Sequence, residues 1–337
     1  MADREATMIR RRRLLQLAAA AFVQAAAGPA RAAEALRVRV VNNGGLENQT
    51  LTELIERQGF LRSAGVSQTL VLVGSPAETF EALVADRADI CVISGFNGVL
   101  PAIEKGAPVK VVGAALRAPA LAVYSVRPDI RSVSDIAGRT VGIGPSFALL
   151  HVLMLTLLKA KDVDPGAVRF INVGSNAEVY QAVKAGKVDA GPSDVSNLPN
   201  AQASGLRVLS DGKMWSELAG YPYQLAYASD RAIRENRDGL VRTLAAYGKM
   251  FRFMSSADAW TAYLEARTEA GAGAEAGVRA AWDYIRSTQP YAGSPETTKE
   301  RLDYLQALHV SLGLQKSVLP IDAIADLSLA RDAMRLI

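Results

Sequence analysis

Val73-Gly74-Ser75-Pro76-Ala77-Glu78 returns 100 residues later, without a gap, as Val173-Gly174-Ser175-Asn176-Ala177-Glu178. The match runs on through Ala82/Ala182, Ala85/Ala185 and Asp89/Asp189, so eight of the 17 positions from 73 to 89 are identical. Unrelated segments of ordinary composition would share roughly one. Upstream, Arg39/Arg139, Val41/Val141 and Gly44/Gly144 keep the same register. A duplicated unit of about 50 residues predicts two similar lobes, and two facing lobes enclose a cleft.

Working outward from the repeat, each copy reads as strand, helix, strand, helix, strand. In the first, residues 36–41 and 69–73 are apolar, β-rich runs, and residues 90–93 a third. Ser75 and Ser175, each with a glutamate three residues on, predict capping boxes that open the second helix of each copy. This is the unit of an open, mostly parallel sheet, so the fold class is α/β with two lobes, each sheet flanked by helices. Residues 109–116 and 121–126 are strand-like runs parted by Arg117-Ala118-Pro119-Ala120, the expected first crossing between lobes. Tyr221-Pro222-Tyr223-Gln224 marks the expected return. The division predicted is 36–117 for the first part of lobe I, 118–224 for lobe II, and 225–337 for the return and a helical tail packed around lobe I.

Residues 1–33 read as an export signal: Arg10 to Arg13, an uncharged apolar run from Leu14 to Ala27, and Ala30-Arg31-Ala32 for cleavage. Arg11-Arg12-Arg13-Leu14-Leu15-Gln16 resembles a twin-arginine signal; an ordinary secretory signal with extra arginines is the alternative. The chain has 38 basic and 34 acidic residues, and removing the six arginines and two acids of residues 1–32 leaves them equal. The basic pI thus belongs to the discarded segment and gives no ground for nucleic acid as a partner. Cys91 is the only cysteine, so no intrachain disulfide is available, and its apolar strand points to an inert thiol. Two histidines without a ligand-spaced cluster predict no metal site, and no cofactor motif is complete. Gly142-Ile143-Gly144 begins a dinucleotide pattern and lacks its third glycine.

Three stretches carry a family resemblance: Leu83-Val84-Ala85-Asp86-Arg87-Ala88-Asp89-Ile90, its second copy Val183 to Ala190, and Ser132-Val133-Ser134-Asp135-Ile136-Ala137-Gly138-Arg139-Thr140-Val141-Gly142. With the order of elements and the helical tail, the chain resembles the periplasmic solute-binding proteins of nitrate, sulfonate and taurine ABC importers, whose relatives bind thiamine pyrimidine precursors. The resemblance spans about residues 36–320. It implies the type II periplasmic binding protein fold, a periplasmic location, a small-molecule solute, no enzymatic activity, and an ABC permease with its ATPase as partners, the protein being a monomer that meets the membrane only through the permease. The chain departs from the family at Asn42-Asn43-Gly44-Gly45, where many members carry an aromatic or polar-proline stretch. It also lacks the cysteine-rich motif of pyrimidine-forming relatives.

In open α/β sheets ligands sit beyond the carboxyl ends of the strands. That rule selects Asn43 and Gly44, then Ser94-Gly95-Phe96-Asn97, in the first lobe, and Ser146, Phe147 and Asp194 in the second. Ser94, Asn97 and Ser146 could equally cap helices. Asp194 could bind a ligand amine, hold the lobes together or face water in a turn. Arg117 offers a guanidinium to a sulfonate or carboxylate, or is a plain hinge-side cation. Tyr223 could stack on or hydrogen bond a ligand or pack in the core, and His151 is expected to pack or to edge the ligand. The leading expectation is an anion-binding importer component. A desulfinase or cofactor-biosynthesis lyase on the same scaffold, or a sensor input for a membrane receptor, are the alternatives.

Overall fold

Each copy of the repeat contributes three strands to its own five-stranded sheet. A computed structural model of the chain describes residues 35–95, 97–272 and 274–337; the expected export segment and Phe96 lie outside the described residues. Strand β1 (Leu36–Asn43) pairs in parallel with β2 (Val66–Val73) over eight residues and with β3 (Ile90–Cys91). With β4 (Val109–Leu116) and the late strand β10 (Gln224–Ser229) the first sheet has the order β2-β1-β3-β10-β4. The second contains β5 (Leu121–Ser125), β6 (Thr140–Ile143), β7 (Arg169–Asn172), β8 (Ala190–Asp194) and β9 (Arg207–Lys213) in the order β7-β6-β8-β5-β9. Strand β10 (Gln224–Ser229) closes the pattern by returning to the first sheet. Both sheets belong to one compact unit, Leu36–Ile337.

One antiparallel strand per sheet follows from the crossings. Strand β4 ends at its carboxyl edge, the chain crosses at residues 117–120, and β5 enters the second sheet from that same edge. It must therefore run backwards, antiparallel to β8 and β9. The return at residues 214–223 imposes the same sense on β10 against β3 and β4.

The repeated aspartates explain part of the sequence match. Asp89 accepts from the Arg39 backbone N–H at 2.8 Å, and Asp189 from the Thr140 N–H at 2.9 Å. Each carboxylate pins the start of one strand to its neighbour, at mid-strand in β1 and at the first residue of β6, so the motif belongs to the fold. At the helix exits just before them, Asp86 (φ 56°) and Gly186 (φ 67°) occupy the same left-handed position. Asp86 tolerates it with its carboxylate held by Arg39 and Arg231, at 2.7 and 2.6 Å.

The helices used below are α1 (Leu46–Arg57), α2 (Pro76–Val84), α3 (Leu149–Ala160), α4 (Asn176–Lys184), α5 (Arg237–Met254), α6 (Trp260–Glu269), α7 (Glu275–Thr288) and α8 (Lys299–Ser311). None of the described helices is long and apolar enough to cross a membrane. Residues 233–254 read as one helix in the sequence, but Asn236 interrupts it by donating to Arg37 O at 2.7 Å. Likewise the expected helix 321–334 breaks where Ala325 bridges to Val111 and Asp326 N donates to Val111 O at 2.9 Å.

The tail corrects a second expectation. Helix α6 packs on α1 of lobe I, but α7 lies against the turn Val195–Asn197 of lobe II. Gly277 makes that approach possible, since a Cβ there would come within 3.1 Å of Ser196 O. The segment after α7 then runs along β4, with Arg117 N donating to Pro290 O and Ala292 N to Ala115 O at 2.6 and 2.7 Å. Tyr284 donates to Ala118 O within the first crossing at 2.9 Å. The tail therefore straps the hinge and touches both lobes.

Candidate ligand-binding cleft

Between the lobes lies a buried charge cluster whose members come from three distant parts of the chain. Arg267, on α6, is 1% exposed. Its Nη1 donates to Glu47, in the first turn of α1, and to Tyr263 Oη at 2.9 Å. Its Nη2 faces Asp194 Oδ1, at the end of β8 in lobe II, at 3.7 Å. That nitrogen makes no hydrogen bond among the described residues. Burial alone opposes the charge on Arg267, but Tyr263, Glu47 and Asp194 outweigh it and hold the guanidinium firmly protonated. A buried guanidinium without such partners would be strongly destabilising.

Tyrosines wall the cluster. Tyr291 donates to Glu47, and Tyr223, Tyr263, Tyr284 and Tyr291 all have their phenol pKa values pushed up by burial and by the nearby carboxylates. They remain protonated donors. The remaining lining is apolar: Leu116 and Ala120 at the first crossing, Val195 of lobe II, and Ala281, Ile285 and Pro290 of the tail. Only about 10 Å³ is open between these groups, room for a single water. The space between the lobes is closed in this structure.

A larger cavity, about 620 Å³, lies elsewhere, bordered by Lys110, Asp230, Arg234, Asp326 and Arg331. Lys110 pairs with Ala228 at the amino end of β4, so this hollow opens at the sheet edge opposite the cleft. Size favours it, but the inter-lobe position and the buried charge favour the smaller site.

The first-lobe candidates are mostly engaged with one another. Ser94 donates to Asn43 Oδ1 at 2.8 Å, and Asn48 donates to the same oxygen at 2.5 Å. Asn97 Oδ1 accepts from Tyr221 at 3.0 Å, and its buried Nδ2 has no partner among the described residues. Gly44 N donates to Val73 O at 3.1 Å, and Gly95 O accepts from Tyr227 at 3.4 Å. Ser94 and Asn97 cap no helix with their side chains. Tyr223 is buried near both Asp194 and Glu47. Asp194 Oδ1 stands 3.7 Å from Arg267 Nη2 across the lobes and accepts from Ser196 N at 2.8 Å within its own turn.

Ser146 is exposed and does not cap α3, whose N-cap position, Ala148, provides no side-chain bond. Phe147 is 47% exposed with φ 61°, and its N–H donates to His151 Nδ1 at 2.9 Å. Arg117 is exposed beside Arg301 and lies outside the lining of the cleft, so the buried cation there is Arg267. Glu47, Arg267 and the tail tyrosines were absent from the sequence candidates. The one local signal was Tyr263 and Arg267 at i and i+4, which places a charge on the buried face of α6.

Residues 54–258 match the family model described as NMT1/THI5 like. The chain belongs to the NMT1/THI5-like family. A curated relative of this NMT1/THI5-like protein, named for an ABC transporter periplasmic binding protein in Brachyspira hyodysenteriae, is 24% identical over 212 residues. The match covers 61% of this chain, which spans about half (52%) of that relative's length. The periplasmic aliphatic sulphonate binding protein SsuA of Escherichia coli superposes with a TM-score of 0.69 at 18% identity, over 86% of this chain and 92% of that one. The desulfurization enzyme DSZB superposes with a TM-score of 0.62 at 15% identity, over 89% and 99%. At these identities the likeness establishes the two-lobed periplasmic binding protein fold, which binding proteins and an enzyme share.

Proposed function

We propose that this protein is the extracytoplasmic, monomeric solute-binding component of an ABC import system. It takes a small organic solute in the inter-lobe cleft and delivers it unchanged to a membrane permease and its ATPase. The observation that carries this reading is Arg267 Nη2, a buried charged donor without a hydrogen bond among the described residues, placed where the two lobes meet. An anionic group of the solute, a sulfonate or carboxylate, supplies the missing acceptor. Contacts made to both lobes at once shift the population towards the closed form, the state a permease can distinguish. The Brachyspira relative and the sulphonate-binding neighbour support the assignment.

The DSZB fold keeps an enzyme reading in view, yet the single thiol argues against nucleophilic chemistry. Cys91 is fully buried, and desolvation pushes its pKa up to about 12. A screen of the protein lacking residues 1–33 against sulfonates, aromatic carboxylates and pyrimidines tests the assignment. One small solute should raise the melting temperature and be recovered intact by mass spectrometry. Arg267→Met should lower its affinity by about 100-fold or more, as expected for a lost charge-assisted pair. Turnover of the solute, or undiminished affinity in Arg267→Met, would overturn it.

A further inference from the structure

We infer that Asp194 makes the cleft select amphoteric solutes, those bearing an anionic group and a protonated nitrogen, over plain anions. This deepens the binding assignment and rests on it. The cleft holds two carboxylates, Glu47 and Asp194, against one guanidinium, Arg267. Glu47 is satisfied: one oxygen receives Arg267 Nη1 and the other receives the Tyr291 hydroxyl. Asp194 is not matched in this way. Its Oδ1 accepts the Ser196 N–H and stands 3.7 Å from Arg267 Nη2, without a hydrogen bond between them.

An acceptor docking on Nη2 therefore arrives beside a carboxylate of the opposite lobe. A solute with only negative charge meets a like charge in a water-poor pocket as the lobes close, where the interaction is least screened. A solute that carries a protonated nitrogen next to its anion resolves the conflict. The anion takes Arg267 Nη2, and the nitrogen donates to Asp194. Closure then joins lobe I to lobe II through the solute, replacing the direct contact of Arg267 with Asp194. Tyr223 beside both carboxylates adds a neutral donor, and Tyr223 and Tyr284 add aromatic walls, which also suit a cationic nitrogen.

Matched probe pairs test this by calorimetry: 3-aminopropanesulfonate against propanesulfonate, and 4-aminobutanoate against butanoate. The wild-type protein should bind the amino member of at least one pair tenfold or more tightly than its deaminated partner. Asp194→Asn should erase or invert that ratio, while Asp194→Glu should keep its sign. Equal or tighter binding of the plain anion by the wild type overturns the inference, and needs no variant to fold. An unchanged ratio in a folded Asp194→Asn protein overturns it too. If the broader screen finds a plain anion that binds intact, the importer assignment stands and the selectivity falls. If nothing in that screen binds, both fall.

Discussion

His309 is fully buried on α8, with Nδ1 3.1 Å from Gln315 Oε1 and Nε2 without a partner among the described residues. Burial lowers its pKa to about 4, more than the Gln315 contact raises it. The native imidazole thus stays neutral down to about pH 4, while the unfolded chain takes up a proton below about 6.5. The folded pKa is depressed for a base, so this group's stability is complete above about 6.5 and drains away as pH falls towards 4. The loss is on the order of 3 kcal/mol at its limit. His309→Gln should flatten the fall in denaturation midpoint between pH 7 and pH 4.5 relative to wild type; a parallel fall in both proteins would refute the attribution. His151 is shifted in the same direction by burial, so the difference between the two curves isolates His309. Arg267 shows the limit of sequence at this scale. Its partner Glu47 is 220 residues away, and an arginine with a tyrosine four positions before it looks like an ordinary surface pair until the fold buries both.

Helix starts divide into two kinds, and the repeat displays both. Helices α2 and α4 open on serine caps: Ser75 accepts from Glu78 N, and Ser175 and Glu178 complete a reciprocal box. In the first copy Glu78 accepts from Gly74 N at 3.2 Å and from the Ser75 hydroxyl at 2.9 Å, in place of the cap residue's backbone N–H. Helices α1 and α3, which follow the central strands of each sheet, have no side-chain cap. Ser175→Ala should cost about 1 kcal/mol of stability, measured as a lowered urea midpoint, with solute affinity unchanged. An unaltered midpoint would mean that water or the helix end compensates fully. The boxes were legible because cap and partner lie three residues apart, and the strands because hydrophobic runs are local. Boundaries at Asn236 and Ala325 were not, since each break is made by a bond to a strand far away in the chain. The tail's contact with lobe II was hidden for the same reason: Gly277 is informative only once Ser196 is known to lie against it.

At the scale of the whole molecule, two crossings, the Pro290 strap and the Tyr284 bond to Ala118 surround a cleft with space for a single water. On the proposed function, capture waits for the lobes to part. In rapid mixing the observed association rate should level off as solute concentration rises, at the opening rate, instead of climbing linearly. A rate that stays linear to saturation would show that the open form predominates before solute arrives. The two-sheet architecture itself was visible in the repeat, because a strand order set by short local units survives duplication. The strand exchange has a practical consequence for handling the protein. The second sheet is one continuous stretch of gene, but the first takes β10 from beyond it and seats that strand between β3 and β4. A protease nick near Ala118 would leave two interlocked fragments that travel together until denatured, and the same point is a rational place to split the coding sequence for reassembly.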